Sequence, residues 1–146
     1  MTWYKNSEGR YGASGKKGDL GEKLVEEYCK ENNISWVDKN DYDSQVKKKI
    51  DCVVDGVVTD VKTNMFKEYM CVELYNKRKN EEGWLYTTEA EQIFAVDLDN
   101  EKIFSYNIED MKSYVDYAKE RRAKENKFGD TIIWVHSNMD FVKELM

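Results

Sequence analysis

The sequence predicts an α/β fold with a mixed central β-sheet flanked by helices. The prediction comes from a helical stripe that begins at Asp19, two pairs of β-rich runs joined by turn residues, and a second helical stripe after Asn107. At 146 residues the chain fits one domain, since domains typically have about 100–200 residues. Hydrophobic residues make up 40% and aromatic residues 13%, which excludes a disordered chain.

The beginning of the chain differs in composition from the rest. Residues 5–18 are rich in glycine, which favours a flexible backbone. They contain one acid, Glu8, and four basic residues: Lys5, Arg10, Lys16 and Lys17. We therefore predict a flexible basic arm over residues 1–18, followed by a single folded domain over residues 19–146.

A helix of about three turns is predicted from Asp19, which can cap its N-terminus. Apolar residues recur in it at helical spacing: Leu20, Leu24, Val25, Tyr28 and Cys29. Asn32 and Asn33 can end the helix. A short strand over residues 34–37 and a polar loop over residues 38–49 follow.

The middle of the chain predicts a β-hairpin, a strand and a short helix. Residues 50–54 and 57–62 are β-rich runs on either side of Asp55-Gly56, a pair typical of two-residue hairpin loops. Residues 69–75 predict a further strand, followed by a charged loop over residues 76–83. Residues 84–91 predict a short helix, which Thr87 or Thr88 can cap.

The last third predicts a second hairpin, a helix, a strand and a terminal helix. Residues 93–96 and 102–106 flank Asp99-Asn100, which favours a turn. Asn107 can cap a helix with one apolar stripe: Ile108, Met111, Tyr114, Val115 and Ala118. Residues 131–135 predict a final strand, and Asn138 can cap a short helix at the end.

Composition narrows the class of protein. No apolar run approaches the roughly 18 residues of a membrane span, and the start lacks the pattern of a signal peptide, so we expect a cytoplasmic protein with no membrane partner. Cys29, Cys52 and Cys71 are far apart in the sequence, which predicts reduced core thiols. The formal net charge of -6 argues weakly against coating nucleic acid by bulk charge, but allows local basic patches.

The first hairpin is predicted to bring two carboxylates together. With Asp55 and Gly56 as the loop, Asp51 faces Asp60, and facing residues have Cβ atoms about 4.5–5.5 Å apart. Like charges at that distance are destabilising unless a divalent cation or another group compensates them. Strand alternation places Lys62 on the same face. The alternative is that these charges are solvated on the outer face of an amphipathic hairpin.

The order of these residues resembles the PD-(D/E)xK nuclease superfamily. A helix with Glu22 in its first turn precedes Asp51, and the D-x-K triplet of Asp60 and Lys62 ends the next strand. The core of that superfamily is a helix, three mostly antiparallel strands, a helix and a further strand, and residues 19–97 follow this order. The helix and short hairpin look most like those of resolvase-type and phage-encoded endonucleases.

The resemblance implies a restriction-endonuclease-like core and an Mg²⁺- or Mn²⁺-dependent endonuclease. Its substrate would be the phosphodiester bonds of DNA, including branched or junction DNA in recombination or repair, with RNA left open. Asp51 and Asp60 would bind the metal, Lys62 would assist the attacking water, and Glu22 would hold a second ion or a metal-linked water. A homodimer is also implied, because cutting two strands symmetrically requires two active sites.

Three other interpretations are also compatible with the sequence. The same fold can serve only to bind nucleic acid or a protein partner, without turnover. Glu22 is equally explained as a favourable acid near a helix N-terminus. Glu73 is a further candidate acid, although a surface charge on an edge strand explains it as well.

Basic and aromatic residues outside the hairpin carry weaker signals. Residues 47–49, 77–79 and 119–127 are basic and could contact phosphates, but solvated surfaces have the same composition. Trp84 and Tyr86 could stack on bases, although packing is the commoner role for such residues. Packing is also the expected role of Trp36 and Trp134, and no role is assigned to His136.

Overall fold

The computed structural model describes residues 13–39, 41, 44 and 47–146. Its helices are α1 (Ala13–Glu31), α2 (Trp84–Thr87) and α3 (Ile108–Arg122). Its strands are β1 (Trp36–Asp38), β2 (Cys52–Val54), β3 (Val57–Lys62), β4 (Met65–Phe66), β5 (Tyr69–Asn76), β6 (Glu81–Glu82), β7 (Gln92–Asp97), β8 (Lys102–Asn107), β9 (Lys124–Glu125), β10 (Thr131–His136) and β11 (Val142–Glu144).

The central sheet is mixed, as predicted. Its strand order is β1-β2-β3-β7-β8-β11. Strands β3 and β7 are parallel, and the neighbouring pairs on either side are antiparallel. The parallel pair requires a crossover between β3 and β7, and the chain from residue 63 to residue 91 makes it. The predicted α/β class with a mixed central sheet is therefore confirmed.

The crossover contributes to a second sheet that the sequence did not predict as a separate layer. Its strand order is β4-β5-β10-β9, with β6 also paired to the C-terminal end of β5. The strand predicted over residues 69–75 is confirmed as β5, but it joins this second sheet rather than the central one. The strand predicted over residues 131–135 is confirmed as β10, its antiparallel partner.

Two hydrophobic clusters pack the other elements against the two faces of the central sheet. On one face of the central sheet, α1 buries Val25 and Cys29 against Cys52, Val54 and the β7–β8 hairpin. On the other face, the second sheet, α2 and α3 pack in a larger cluster that includes Ile93, Phe104, Val72, Met111 and Ile133. Alternation along β7 explains the division, because Phe94 and Val96 belong to the first cluster and Ile93 and Ala95 to the second.

The first hairpin has the predicted two-residue loop. Val54 pairs with Val57 and Cys52 pairs with Thr59. Asp55 and Gly56 both have positive φ, 50° and 80°, as a type I′ turn requires. The second predicted hairpin is also confirmed, as β7 and β8.

Both ends of the chain depart from prediction. Helix α1 begins at Ala13 rather than Asp19, because helix-interior glycines such as Gly18 cost only about 1 kcal/mol each relative to alanine, too little to exclude helix. Residues 1–12 of the predicted arm lie outside the described residues. The helix predicted at Asn138 is wrong: the chain forms β11 there and pairs with β8 at the open edge of the central sheet.

Local hydrogen bonds and turn chemistry explain the remaining differences. Helix α2 ends at Thr87 because Thr88 is extended, with its hydroxyl donating to Lys49 O at 2.9 Å. The β4–β5 hairpin was not predicted, since its turn residues Lys67 and Glu68 have positive φ without any glycine to mark them. Helix α3 has its predicted cap, because the Asn107 side chain accepts from Asp110 N.

Candidate active site

Asp51 and Asp60 lie together at the end of the first hairpin. Asp60 is on β3 and is only 4% exposed. Asp51 immediately precedes β2, and its carboxyl group is close enough to that of Asp60 to share a hydrogen bond with it. The predicted pair of neighbouring carboxylates is thus confirmed.

The two aspartates meet without forming a regular cross-strand pair. The register ends at Cys52 and Thr59. Beyond it, the Asp51 amide donates to Thr59 O at 2.9 Å, and the Val61 amide donates to Asp51 Oδ2 at 2.8 Å. The Asp51 side chain therefore accepts from the backbone of β3, which fixes its carboxyl group beside Asp60.

The environment of Asp51 favours its neutral form. Burial is the first cause, followed by the hydrogen bond and charge of Asp60 and the charge of Glu22, and together they raise the pKa of Asp51 to about 9. The bond from Val61 N opposes this pKa shift. This environment therefore favours a bound proton on the pair, and a cation would supply the same compensation.

Lys62 lies on the same face as the pair, as predicted. Its Nζ is 3.0 Å from Asp60 Oδ2, but that buried oxygen makes no hydrogen bond because the ammonium lies outside hydrogen-bonding direction. Nζ is also 4.8 Å from the centroid of the Trp84 ring. The lysine is therefore held between a carboxylate and an aromatic face, with Oδ2 left as an open acceptor.

The position of Trp84 depends on a close backbone approach. Gly83, which precedes α2, donates from its amide to Leu74 O at 2.9 Å. A Cβ at Gly83 would lie 2.2 Å from Glu73 O, so only glycine fits against β5 here. Trp84, which sequence reasoning assigned to packing or stacking, is placed by this contact beneath the lysine.

Glu22 lies in α1, half-buried near the pair. Burial, followed by the charges of Asp19, Asp38 and Asp60, raises the pKa of Glu22 to about 7. Among the residues that the structure describes, no three Asp, Glu, His or Cys side chains gather tightly enough to hold a cation. The structure thus brings Asp51, Asp60 and Lys62 together and leaves Glu22 at the margin of that set.

Helix α1 reaches the site through a glycine contact with the end of β3. A Cβ at Gly21 would lie 1.9 Å from the Thr63 side-chain methyl. Glycine at this position therefore permits the helix to approach the sheet closely enough for Glu22 to experience the charges of Asp51 and Asp60.

One acid near the site was missed by sequence reasoning. Asp38 ends β1, opposite Cys52 on β2, and its charge contributes to the raised pKa of Glu22. The signal was present in the sequence, since Asp38 directly follows the predicted strand over residues 34–37. It lacked a motif to single it out.

The other sequence candidates lie elsewhere. Glu73 is on β5, where its carboxylate accepts from the Asn76 amide group at 3.2 Å. His136 ends β10; its Nδ1 accepts from Asn138 N, and its ring meets Tyr69 edge to face at 4.6 Å. Trp36 packs against the α1 cluster as expected, whereas Trp134 is 36% exposed.

Comparison with known proteins gives a likeness of fold. No protein-family model and no curated protein matches the sequence. A solved structure of a bacterial homing endonuclease, I-Ssp6803I, is similar to this chain with a TM-score of 0.50 and 14% sequence identity. The likeness covers 85% of this chain and 76% of that one. This chain therefore has a fold similar to that of an endonuclease.

The helices of the fold are short or polar. Within the described part of the chain, none of them combines the length and apolar character needed to cross a membrane.

Proposed function

We propose that this protein is a metal-dependent endonuclease of the PD-(D/E)xK type that hydrolyses phosphodiester bonds of DNA. The observation that carries the proposal is the buried Oδ2 of Asp60, an acceptor without a hydrogen bond, next to the Asp51 carboxyl group and the Lys62 ammonium. The endonuclease-like fold supports the same conclusion. The ordered set of Glu22, Asp51, Asp60 and Lys62 adds the sequence evidence.

The residues present fit a hard divalent cation such as Mg²⁺ or Mn²⁺. Such ions take carboxylate oxygens as ligands, and Asp51 and Asp60 would supply them. When bound, the cation would polarise a phosphoryl oxygen and supply Lewis acidity to the hydrolysis. The Asp60 oxygen that makes no hydrogen bond, and the environment that favours a proton on Asp51, support a cation at this place in addition to the charge of Lys62.

Each residue of the candidate site has a proposed role in the reaction. Asp51 and Asp60 would hold the cation, with Asp51 ionised and its proton released to the solvent. Lys62 orients the attacking water through Nζ and offsets the charge that develops on the phosphate. The Trp84 ring restricts the lysine to the site face. Glu22, with a pKa of about 7, is suited to accept a proton from water close to neutral pH.

The binding-only alternative is favoured by one observation. Within the described residues a third carboxylate does not close around the Asp51–Asp60 pair. A fold of this kind that binds nucleic acid without turnover would need no cation there. A cleavage assay therefore distinguishes the two functions, whereas a measurement of affinity for nucleic acid does not.

A cleavage panel tests the proposal. The wild-type protein is incubated with duplex, branched and single-stranded DNA, and with RNA, in Mg²⁺, in Mn²⁺ and in EDTA. We expect cation-dependent cleavage of at least one DNA substrate and its loss in Lys62→Ala. The matched control is Lys102→Ala, which removes a lysine that is also 3.0 Å from a carboxylate, that of Glu144, on the same sheet. Equal rates in the two variants, or no cleavage by the wild type, would overturn the proposal.

A further inference from the structure

An open groove lies on the outer side of the second sheet, away from the carboxylate pair. Its volume is about 570 Å³. Three aromatic side chains line it: Phe66, Tyr69 and Trp134. They are 61%, 41% and 36% exposed, so part of each side chain is open to solvent.

The groove is basic as well as aromatic. None of the described residues that line it is acidic. Its other lining residues are cationic: Lys67, Arg121, Arg122 and Lys124. This concentration of positive charge stands out in a protein with a formal net charge of -6. The groove therefore complements a polyanion, which the rest of the protein's acidic surface would repel.

We propose that this groove binds an unpaired segment of nucleic acid, with bases stacked on the rings and phosphates on the cations. The inference rests on the proposed function and extends it, because it assigns a second contact to the same substrate class. Exposed aromatic faces between basic residues are what single strands require, since stacking on side chains tolerates any base and needs no pairing edge. In a duplex the base faces are occupied by their neighbours and cannot reach the rings.

Two other occupants fit the observations less well. An acidic peptide would satisfy the arginines and lysines but leaves the three ring faces without flat partners. A second copy of this chain, docked by two-fold symmetry, would bring the same cations of both copies toward one interface. Charge complementarity and aromatic exposure together favour a single strand.

The groove is connected to the candidate active site by direct contacts. Lys62 lies over the ring of Trp84 in α2. Two residues later, the Tyr86 ring lies 5.8 Å from Lys119 Nζ in the last turn of α3. Arg121 and Arg122, which line the groove, end that helix. A strand seated in the groove would therefore contact the end of α3, whose last turn lies beside Tyr86 of α2.

Binding in EDTA tests the groove without requiring cleavage. The probe is a labelled oligothymidine of about 12 nucleotides, within the range of about 4–16 nucleotides that single-strand sites cover. We expect Phe66→Ala and Trp134→Ala each to weaken its binding at least about fivefold, the lower bound for the loss of one stacked base. The matched control is Phe128→Ala, because Phe128 is 67% exposed and lies under Lys127 as Phe66 lies under Lys67, but does not line the groove.

The cationic half of the groove is tested by salt dependence. The double variant of Arg121→Ala and Arg122→Ala should flatten the dependence of log K on log salt by about 1.4, at about 0.7 for each single-strand phosphate that the arginines neutralise. The double variant of Lys102→Ala and Lys143→Ala removes the same charge elsewhere and should leave the slope unchanged. If Trp134→Ala lowers the melting temperature, Trp134→Tyr keeps a ring and should restore binding.

Several outcomes would overturn the inference. Unchanged affinity in the aromatic variants, an equal loss on a duplex of the same length, or equal competition by polyglutamate would each do so. A change of oligomeric state in Phe66→Ala would assign the groove to a dimer interface instead. Cation-dependent cleavage by variants that bind normally would refute the groove alone, whereas altered binding without any wild-type cleavage would refute the nuclease proposal alone.

Discussion

Asp60 is a buried acid with two stabilising neighbours. Asp51, whose raised pKa favours its neutral form, shares a hydrogen bond with it, and Lys62 Nζ lies 3.0 Å from its Oδ2. Asparagine has the same size and can keep a hydrogen bond to Asp51, and the partly exposed Lys62 keeps its contact with water. We therefore expect the carboxylate to matter more for the proposed cation binding than for folding.

We predict that Asp60→Asn abolishes cation-dependent cleavage and changes the free energy of unfolding by less than about 1 kcal/mol in EDTA. Cleavage assays and urea denaturation measure the two effects. Asp99→Asn, at an exposed aspartate in the β7–β8 turn, is the control for the change of side chain. A large loss of stability in Asp60→Asn would show that this carboxylate is structural, and wild-type cleavage would remove it from the site.

The raised pKa of Asp51 predicts how stability depends on pH. Its pKa is about 9 in the folded protein against an ordinary value of 3.8, so the folded state binds the proton more tightly. The resulting stabilisation is fully present below pH 3.8 and is lost as the pH rises toward 9. Without a cation, the wild type should therefore lose stability relative to Asp51→Asn across this range.

Denaturation of both proteins at a series of pH values in EDTA measures this difference. Asparagine is neutral throughout and cannot contribute to the slope. Saturating Mg²⁺ should reduce the wild-type loss, because the cation compensates the ionised pair. Parallel stability curves for the wild type and Asp51→Asn would contradict the assigned environment.

At the scale of the element, the first hairpin was the most predictable part of the site. Asp55-Gly56 fixes a two-residue loop, and the loop fixes which residues face each other. Counting back from that turn predicts that Asp51 and Asp60 lie close together, although the regular register ends at Cys52 and Thr59. The bond from Val61 N to Asp51 could not be predicted, because it depends on a local departure from the regular ladder beyond Cys52.

Helix α1 was less predictable in position than in existence. Its apolar stripe was evident, but its depth against the sheet is set by the contact between Gly21 and Thr63. Nothing in the sequence distinguishes this glycine from Gly18, where an added Cβ would meet no atom within 4 Å. The two glycines therefore provide a matched pair for testing how the helix is placed.

We predict opposite effects of alanine at the two positions. Gly18→Ala should stabilise the protein by about 0.5–1 kcal/mol through helix propensity. Gly21→Ala should destabilise it by about 1–3 kcal/mol through overpacking and should lower cleavage by displacing Glu22. Thermal denaturation and cleavage rates measure both.

Removal of the clashing methyl provides the rescue. Thr63→Ser should restore the stability of Gly21→Ala, since the Thr63 methyl is the atom 1.9 Å from the added Cβ. Equal stabilisation by both glycine substitutions would show that α1 does not pack closely on β3.

The loop before β2 is predicted to contribute to substrate binding. Residues 47–49 precede Asp51 by two to four positions in the sequence. Two hydrogen bonds hold this loop in place: Glu89 N donates to Lys48 O, and the Thr88 hydroxyl donates to Lys49 O. Replacement of all three lysines by alanine should weaken DNA binding and flatten the salt dependence by about 0.9 for each duplex phosphate that these lysines neutralise. Binding of a duplex by Asp60→Asn protein at several salt concentrations measures it; an unchanged slope would remove the loop from the DNA-binding surface.

At the scale of the whole molecule, local pattern predicted the central sheet but not the layer on top of it. The β7–β8 hairpin was predicted, and the parallel pairing of β7 with β3 makes the sheet mixed, as the fold class required. The second sheet arises from pairing between β5 and β10, which are far apart in the sequence and carry no local signal of partnership. The aromatic groove lies on that sheet, which explains why Trp134 was assigned to packing.

The distribution of charge over the whole molecule is uneven, with a basic groove on an acidic protein. With a formal net charge of -6, the proposed binding to nucleic acid would depend on where the cationic side chains are clustered and not on the total charge. The homodimer implied by the nuclease resemblance stays a prediction, which sedimentation at several protein concentrations can decide.

The measurement that tests the central claim most directly is a titration with Mn²⁺, followed by electron paramagnetic resonance of the free ion near neutral pH. If Asp51 and Asp60 form the cation site, the wild type and Asp99→Asn should bind Mn²⁺ alike, and Asp51→Asn and Asp60→Asn should each lose that binding. Release of protons to the solvent should accompany binding, since Asp51 would have to lose its proton to act as a ligand. Undiminished Mn²⁺ binding by Asp60→Asn, or none by the wild type, would contradict the account.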